Sequence, residues 1–370
     1  MEEKTVVILG ATGSIGTQTV DVISKIGGFR IVGISFGKNV DVANRIVGCF
    51  RVPYYCGDGR LEHGLRMSSI EELLDVTKPD VVVCAIPGIE GVKAAFESLN
   101  HTKRLALATK ETLVCAGPFF KKMVQERGVE LIPVDSEHSA ILQLMEESVA
   151  RIILTASGGA VRDVPKDRIR NLGPREVLKH PTWRMGQRIT VDSATMVNKL
   201  FEVIEAHELF DLPYENIQVA INPSSFVHGV VYLRDGTVKI HAGIPDMRVP
   251  IAYALTYPER KYNGVLPDLR DFDLRLLEVE EDRYPVFHYG LKSIVNDLSK
   301  RIALNAVDEV VIEAFLNERI SFGELVDTIV RVVDNVSFKV ENLEDVFQLD
   351  LLVRDMARVE LERIGGRETK

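Results

Sequence analysis

Residues 4–36 read KTVVILGATGSIGTQTVDVISKIGGFRIVGISF. KTVVIL is a short, continuous, β-branched run that ends in glycine, the pattern of a parallel strand buried on both faces. TQTVDVISKI has helical spacing and stops at Gly27-Gly28. FRIVGISF is a second apolar strand. The three make a βαβ unit whose first crossover is Gly10-Ala11-Thr12-Gly13-Ser14-Ile15-Gly16. A G-x-x-G-x-x-G turn between a strand and a helix lets backbone N–H groups approach a pyrophosphate at the helix N-terminus. Strand before and helix after are the context that turns a glycine triplet into a dinucleotide signal.

The second strand ends in Gly37-Lys38-Asn39. An NAD site usually places Asp or Glu there for the ribose hydroxyls. Lys38 instead offers a cation for a 2′-phosphate, which reads as NADP, with an ordinary loop lysine as the alternative. Further βα alternation follows. Ser69–Val76 is helical, capped by Ser68 or Ser69. Asp80–Ile86 is a strand, and Ile89–Leu99 is a helix. The strand Arg104–Ala108 delivers Thr109-Lys110-Glu111 at its carboxyl end, the end that faces the ligand in open α/β sheets. The strand Glu130–Val134 delivers Asp135-Ser136-Glu137-His138. Two carboxylates two residues apart suit a hard divalent cation such as Mg²⁺ or Mn²⁺. The same four residues also suit a helix N-cap and first turn.

The middle of the chain changes character. The strand Arg151–Ala156 runs into Ser157-Gly158-Gly159, an anion-cradling turn. Val164–Leu178 is polar and partly helical. The loop His180-Pro181-Thr182-Trp183-Arg184-Met185-Gly186 holds the one tryptophan, either a packing anchor or a lid. Thr190–His207 reads as a short β-type segment and a capping cluster, Asp192–Thr195, followed by a helix. Asn198, Glu202 and Glu205 share one face of that helix, and Lys199 lies within reach of Glu202. This is either a solvated face or a row that needs partners in a site. Ile217–Asn222, Ser225–Leu233 and Thr237–Ala242 are strands, the last two joined by an Asp235-Gly236 hairpin turn. A partly antiparallel sheet there offers a surface for a second copy of the chain. From Tyr284 the pattern is helical: Ser299–Leu316, Ser321–Val336 with a Ser321/Glu324 capping box, and Asn342–Ile364.

The fold class is therefore α/β: an N-terminal Rossmann-like parallel sheet, a central α+β domain with a mixed sheet, and a C-terminal helical bundle. The boundaries fall at 1–125, 126–265, a linker at 266–282, and 283–370. Composition agrees with this class. The 370 residues are 46 % hydrophobic and 27 % charged, as in globular proteins. No run of about 18 apolar residues exists, and the N-terminus enters a strand directly, so neither a membrane span nor a signal segment is expected. The four cysteines form no CxxC pair and read as reduced thiols of a cytoplasmic protein. A net charge of −9 without a basic cluster argues against nucleic acid.

Taken together, the motifs also carry a resemblance. GATGSIG, GKN, KETLV, DSEHSA, TASGGA, HPTWRMG, DSATMVNKLFEVIEAHELF and ALNAVDEVVIEAFL closely resemble the 1-deoxy-D-xylulose 5-phosphate reductoisomerase family, in order, from residue 5 to about residue 335. The resemblance implies a homodimer that isomerises and reduces 1-deoxy-D-xylulose 5-phosphate, a phosphorylated small molecule, with NADPH and a divalent cation, Mg²⁺, Mn²⁺ or Co²⁺. By motif it implies Asp135, Glu137 and Glu202 as metal ligands. It implies Ser157, His180, Ser193, Asn198 and Lys199 at the phosphate, and Lys110, Ser136 and Glu137 on the substrate's polar backbone. Lys110, Glu137 and Glu202 would be the catalytic set. NADPH would meet Thr12, Gly13, Ser14, Ile15, Gly37, Lys38, Asn39, Thr109, Glu111 and Gly186. Trp183, with Met185, would close over the substrate. Thr109 stands where many members have asparagine and lacks the amide donor. The competing readings are another NADP-dependent oxidoreductase, of the amino-acid semialdehyde class, and a non-catalytic NADPH-binding regulator.

Overall fold

The computed structural model describes residues 3–183 and 185–365; Arg184, in the tryptophan loop, lies outside them. Contacts divide the chain into two compact units. The first takes in the described residues through Thr112, then Phe120–Gln143 and Asp246–Leu266. The second takes in Leu113–Phe119, Leu144–Pro245 and the described residues from Pro267 onward. Three segments thus fall across the linear division at 125 and 265: residues 113–119, 126–143 and 246–265.

The first unit is built on β1 (Lys4–Leu9), β2 (Phe29–Phe36), β3 (Tyr54–Gly57), β4 (Leu65–Arg66), β5 (Val81–Cys84), β6 (Arg104–Leu107) and β7 (Glu130–Pro133). They form one seven-stranded parallel sheet in the order β4-β3-β2-β1-β5-β6-β7. Helices α1 (Ser14–Ile26), α2 (Val40–Phe50), α3 (Ile70–Thr77), α4 (Gly88–Ser98) and α5 (Glu111–Arg127) lie in the crossovers, and α6 (Ser136–Leu144) follows β7. The chain winds outward from β1 to β4, then restarts at β5 on the other side of β1. The carboxyl ends of β1 and β5 are therefore a topological switch point, where ligands of such sheets bind. Val6, Val7, Ile8 and Leu9 are all 0 % exposed, which is why β1 reads as an unbroken apolar run.

Ser69 is the cap of α3, accepting the Glu72 N–H at 3.1 Å, while Ser68 donates to the Glu72 carboxylate. Helix α5 kinks at Ala116, two residues before Pro118.

The second unit is built on β8 (Val149–Ala156), β9 (Ile217–Ile221), β10 (Val227–Leu233) and β11 (Val238–Ala242), in the order β11-β10-β8-β9. β8 pairs parallel with β9 and antiparallel with β10, so the sheet is mixed. The Asp235-Gly236 turn is a hairpin, with Gly236 at φ +89° and Asp235 accepting the Thr237 N–H at 2.8 Å. Between β8 and β9 lie α7 (Lys166–Ile169), α8 (Pro174–Val177), α9 (Gln187–Thr195) and α10 (Val197–Phe210). Here the structure corrects the sequence reading: Thr190 and Val191 are helix, not a β-type segment, and Asp192–Thr195 continue that helix rather than capping α10, whose N-cap is Met196. The Thr190 N–H and hydroxyl both donate to Gly186 O, so the helix starts before the β-branched pair that suggests a strand. Met196, in left-handed backbone at φ +62°, separates α9 from α10.

Helix α11 (Arg248–Thr256) follows the second sheet in the chain but packs on α1 in the first unit, where Arg248 pairs with Asp21 at 2.6 Å. Buried Arg104 ties down its end by donating to Leu255 O and Tyr257 O. The sequence reading contained no such helix. Then come α12 (Pro285–Ser293), α13 (Leu298–Leu316), α14 (Phe322–Asp334) and α15 (Leu343–Gly365), the expected bundle, with α13 packed on α14 and α15. Ser321 and Glu324 form the expected capping box. The 266–282 stretch is tied to the second sheet by a bridge between Ile221 and Leu277.

The steric demand at the first turn can be tested. A Cβ on Gly16 would lie 2.3 Å from Gly10 O and 2.5 Å from Ala11 Cα. Gly16→Ala should cost about 2 kcal/mol or more in urea denaturation, because only backbone could move to admit it.

Candidate active site

The first unit contains a glycine-rich turn at the end of β1 and an acidic end of β7. Gly10 takes φ +83°, and a Cβ there would meet Ala85 O at 2.6 Å, so the β1 and β5 ends close on each other only through glycine. Ser35, at the end of β2, accepts the Gly10 N–H at 3.0 Å and holds the turn. No side chain caps α1 behind Gly13; Gly13 and Ser14 are exposed at the switch point, between half-buried Thr12 and Ile15. At the end of β2, Gly37 has open space around it and Lys38 is exposed. Asn39 caps α2, accepting the Val42 N–H, a role the sequence reading did not weigh.

Thr109 and Glu111 are both buried and brace the neighbouring turn. The Thr109 hydroxyl donates to Ile86 O at 2.7 Å, and Glu111 accepts the Gly88 N–H at 2.8 Å. Lys110 and Asp135, from the ends of β6 and β7, form an ion pair at 2.8 Å with side chains only 11 % and 13 % exposed. Asp135 also accepts the Glu137 N–H at 3.1 Å and meets Nδ1 of fully buried His138 at 3.1 Å. Of the two sequence readings of DSEH, the cap is present: Asp135 caps α6. Oxygens of Asp135 and Glu137 also lie within 4.8 Å of each other, close enough for one cation. The Ser136 hydroxyl donates to Glu137 at 3.0 Å.

The second unit contributes a polar cradle at the end of β8. Gly158 and Gly159 have φ +81° and +59°, and a Cβ on Gly159 would lie 2.5 Å from Ser193 O. This tight approach sets Ser157 beside α9. The Ser157 hydroxyl oxygen lies 2.8 Å from His180 Nε2 and accepts the Gly159 N–H at 3.1 Å. His180 Nδ1 accepts the backbone N–H of Thr182 and of Trp183. Two donors aimed at Nδ1 put the proton of the neutral ring on Nε2, which donates to Ser157. The Ser157 hydrogen is then left to point outward. Burial, then the neighbouring Arg162 charge, push His180 down to about 4, so the ring is neutral.

On α9 and α10, Ser193 donates to Ile189 O at 2.9 Å. Lys199, Glu202 and Glu205 are 4 %, 1 % and 1 % exposed, so the polar row of α10 is not a solvated face. The Asn198 amide donates to Glu202 Oε1 at 2.6 Å, and Lys199 pairs with the other Glu202 oxygen. His207 is structural: it hydrogen-bonds Leu212 O and stacks on Tyr214 at 4.2 Å. The loop before α9 is anchored by Thr182 on Ser225 at 2.8 Å and by Trp183 against His228, ring centroids 6.4 Å apart. Met185 is half-buried, and exposed Gly186 is the N-cap of α9.

Sequence reasoning missed several supporting residues. Arg162 donates to Ser157 O and Pro223 O, and the Tyr284 hydroxyl donates to Gly158 O at 2.8 Å. His228 also escaped notice. None of these lies in a spacing pattern that points to the cradle, because each arrives from a different element.

Three family sequence models match: 1-deoxy-D-xylulose 5-phosphate reductoisomerase over residues 6–117, its C-terminal domain over 131–210, and the DXP reductoisomerase C-terminal domain over 242–356. Among curated proteins, the 1-deoxy-D-xylulose 5-phosphate reductoisomerase of Thermotoga neapolitana is 48 % identical over 98 % of both chains. That of Thermotoga maritima is 48 % identical over 100 % of this chain and 97 % of its own. Among solved structures, a DOX-P reductoisomerase in complex with NADPH, fosmidomycin and magnesium superposes with TM-score 0.91 at 32 % identity, covering 98 % of this chain and 99 % of that one. The Zymomonas mobilis reductoisomerase in complex with NADPH gives TM-score 0.88 at 31 % identity, covering 98 % and 100 %.

The protonation of His180 is directly measurable. Its folded-state value lies below the ordinary 6.5, so between about 4 and 6.5 the unfolded chain binds more protons than the folded one. Its contribution to stability is full above 6.5 and is lost as pH falls toward 4. An NMR titration of the His180 ring should show a midpoint near 4, and a midpoint at or above 6.5 would contradict the arrangement.

Proposed function

This chain belongs to the 1-deoxy-D-xylulose 5-phosphate reductoisomerase family, and on that premise we propose which of its residues carry out the family reaction. It converts 1-deoxy-D-xylulose 5-phosphate to 2-C-methyl-D-erythritol 4-phosphate, using NADPH and a divalent cation, in mevalonate-independent isoprenoid precursor synthesis. The observation that carries this is a likeness of 48 % identity running the length of both chains. A semialdehyde dehydrogenase or a non-catalytic regulator has no comparable support.

When bound, NADPH supplies a hydride and the cation supplies Lewis acidity. Asp135, Glu137 and Glu202 would hold the cation. An all-carboxylate donor set fits a hard ion such as Mg²⁺, with Mn²⁺ and Co²⁺ as substitutes. Thr12, Gly13, Ser14 and Ile15 would cradle the pyrophosphate, with Lys38, Gly37 and Asn39 at the 2′-phosphate. Glu111, Thr109 and Gly186 complete the cofactor set, the first two by bracing the turns around it. Ser157, held by neutral His180, would donate to the substrate phosphate. Ser193, Asn198 and Lys199 would bind the same group. Lys110, Ser136 and Glu137 would orient the substrate's oxygens, Lys110 being the group best placed to move a proton. Trp183 and Met185 would exclude water from the reacting carbonyl.

The protein acts as a cytoplasmic homodimer in this reading. No described helix is long and apolar enough to cross a membrane. β11 is an edge strand with Val238 and Ile240 exposed, an apolar stripe that a second copy would cover.

NADPH oxidation, followed by absorbance, should require both 1-deoxy-D-xylulose 5-phosphate and Mg²⁺ or Mn²⁺. Glu202→Gln should nearly abolish turnover while leaving NADPH binding largely intact; full activity at ordinary Mg²⁺ would sink the metal assignment. Lys38→Ala should weaken NADPH about tenfold and NADH little, since only the former has a 2′-phosphate to lose a charge-assisted contact.

A further inference from the structure

The second unit contains a buried charge cluster that the reaction does not use. Arg188 of α9 reaches Asp192 on its own helix at 3.9 Å, and on α13 it reaches Asp308 at 3.7 Å and Glu309 at 3.2 Å. It also donates to Asn305 at 3.3 Å. Glu309 is shared with Arg354 of α15 at 2.8 Å, and Arg354 pairs in turn with Asp350 at 2.6 Å. Four carboxylates thus lie around two guanidinium groups. Asp308 has the poorest share: it is 0 % exposed, the cation it reaches among the described residues is Arg188, at 3.7 Å, and neither of its oxygens accepts an N–H or O–H. An ionised carboxylate in that setting is costly, and taking up a proton removes the cost.

We propose that Asp308 is a positioning residue for the phosphate end of the site: as a neutral carboxylic acid it donates a hydrogen bond to Asp192, clamping α9 to α13 and so fixing Ser193. The proton is taken from a solvent hydronium ion, which reverts to water: one O–H bond breaks there and one forms on the carboxyl. This deepens the assignment of Ser193 to the phosphate and rests on it. Burial, then the negative charge of Asp192, hold the Asp308 carboxyl well above the ordinary carboxylate range, and Arg188 offsets this only in part.

Charged groups on the other packed elements have partners of their own among the described residues: on α10, Lys199 pairs with Glu202, and on α8, Glu176 accepts the Gly173 N–H. On α14, the Glu324 carboxylate accepts the Ser321 N–H, Asp327 binds Arg170, Arg331 binds Glu360 and Asp334 binds Tyr289. On α13 itself, Arg301 is held by Glu208 of α10. On α12, His288 hydrogen-bonds Val279 O and Lys292 binds Glu281.

Asp308→Asn is the diagnostic variant, because an amide keeps the shape and the donor of the neutral acid without its proton. Wild type should show a KM for 1-deoxy-D-xylulose 5-phosphate that rises on the alkaline side with kcat less affected. Asp308→Asn should keep the neutral-pH KM and lose that rise, and Asp308→Ala should raise KM about tenfold at neutral pH. Because the folded-state value is raised, the group's contribution to stability falls as pH increases, so the melting temperature of wild type should drop relative to Asp308→Asn as pH increases. Infrared difference spectra of wild type against Asp308→Asn at pH 7 should contain a carboxylic-acid carbonyl band. Absence of that band, or an alkaline KM limb retained in Asp308→Asn, overturns the proposal. Ser193→Ala separates the two ideas: an unchanged KM there rejects the phosphate assignment, while the infrared band still reports on Asp308.

Discussion

Burying Glu202 is the constraint on which helix α10 depends. A carboxylate at 1 % exposure loses most of its hydration, and a helix interior offers it no backbone donor. The chain answers with neighbours on the same helix: the Asn198 amide one turn earlier on one oxygen, and Lys199 on the other. The spacing i, i+3 and i+4 is what lets one turn of α10 satisfy both oxygens. The site's charged groups are therefore ordered before any ligand arrives, and a phosphate or cation would exchange partners with groups already in place rather than recruit them from solvent.

Around α10 the same economy recurs in the backbone. Gly159 must lack a side chain because Ser193 O occupies the space, and Gly10 and Gly16 must lack one because β5 and the turn itself do. Those at Gly159 and Gly10 are close approaches between segments far apart in sequence, and that at Gly16 lies within one turn. They convert loops into rigid rims of N–H groups, where anions bind. His180 adds a second kind of ordering: two N–H donors fix its tautomer, and burial keeps it uncharged. Hydrogen-bond direction, not imidazolium charge, is its contribution.

Much of this was legible in the residues. The β1–α1–β2 unit, the capping box at Ser321 and the Asp235-Gly236 hairpin each rest on local chemistry and appear as read. So does the DSEH strand end, where cap and acidic pair coexist because Asp135 has two oxygens for two tasks. The start of α9 was misread because Thr190 and Val191 favour extended backbone locally, while burial of both residues and the Gly186 carbonyl favour a helix. Helix α11 went unseen for a related reason: it is apolar nearly all round, so no face stands out.

The sequence by itself determined the parallel sheet, the dinucleotide turn, the acidic strand end and the polar row of α10, since each depends on neighbours within one or two turns of chain. Only the tertiary structure decided that Thr109 and Glu111 brace backbone, that Asn39 and His207 serve as local ties, and that α11 returns to the first sheet. It alone placed Asp308 against Asp192, 116 residues apart in sequence. Burial and the pairing of distant charges are properties of packing, and packing is set by which elements meet, which no local pattern encodes.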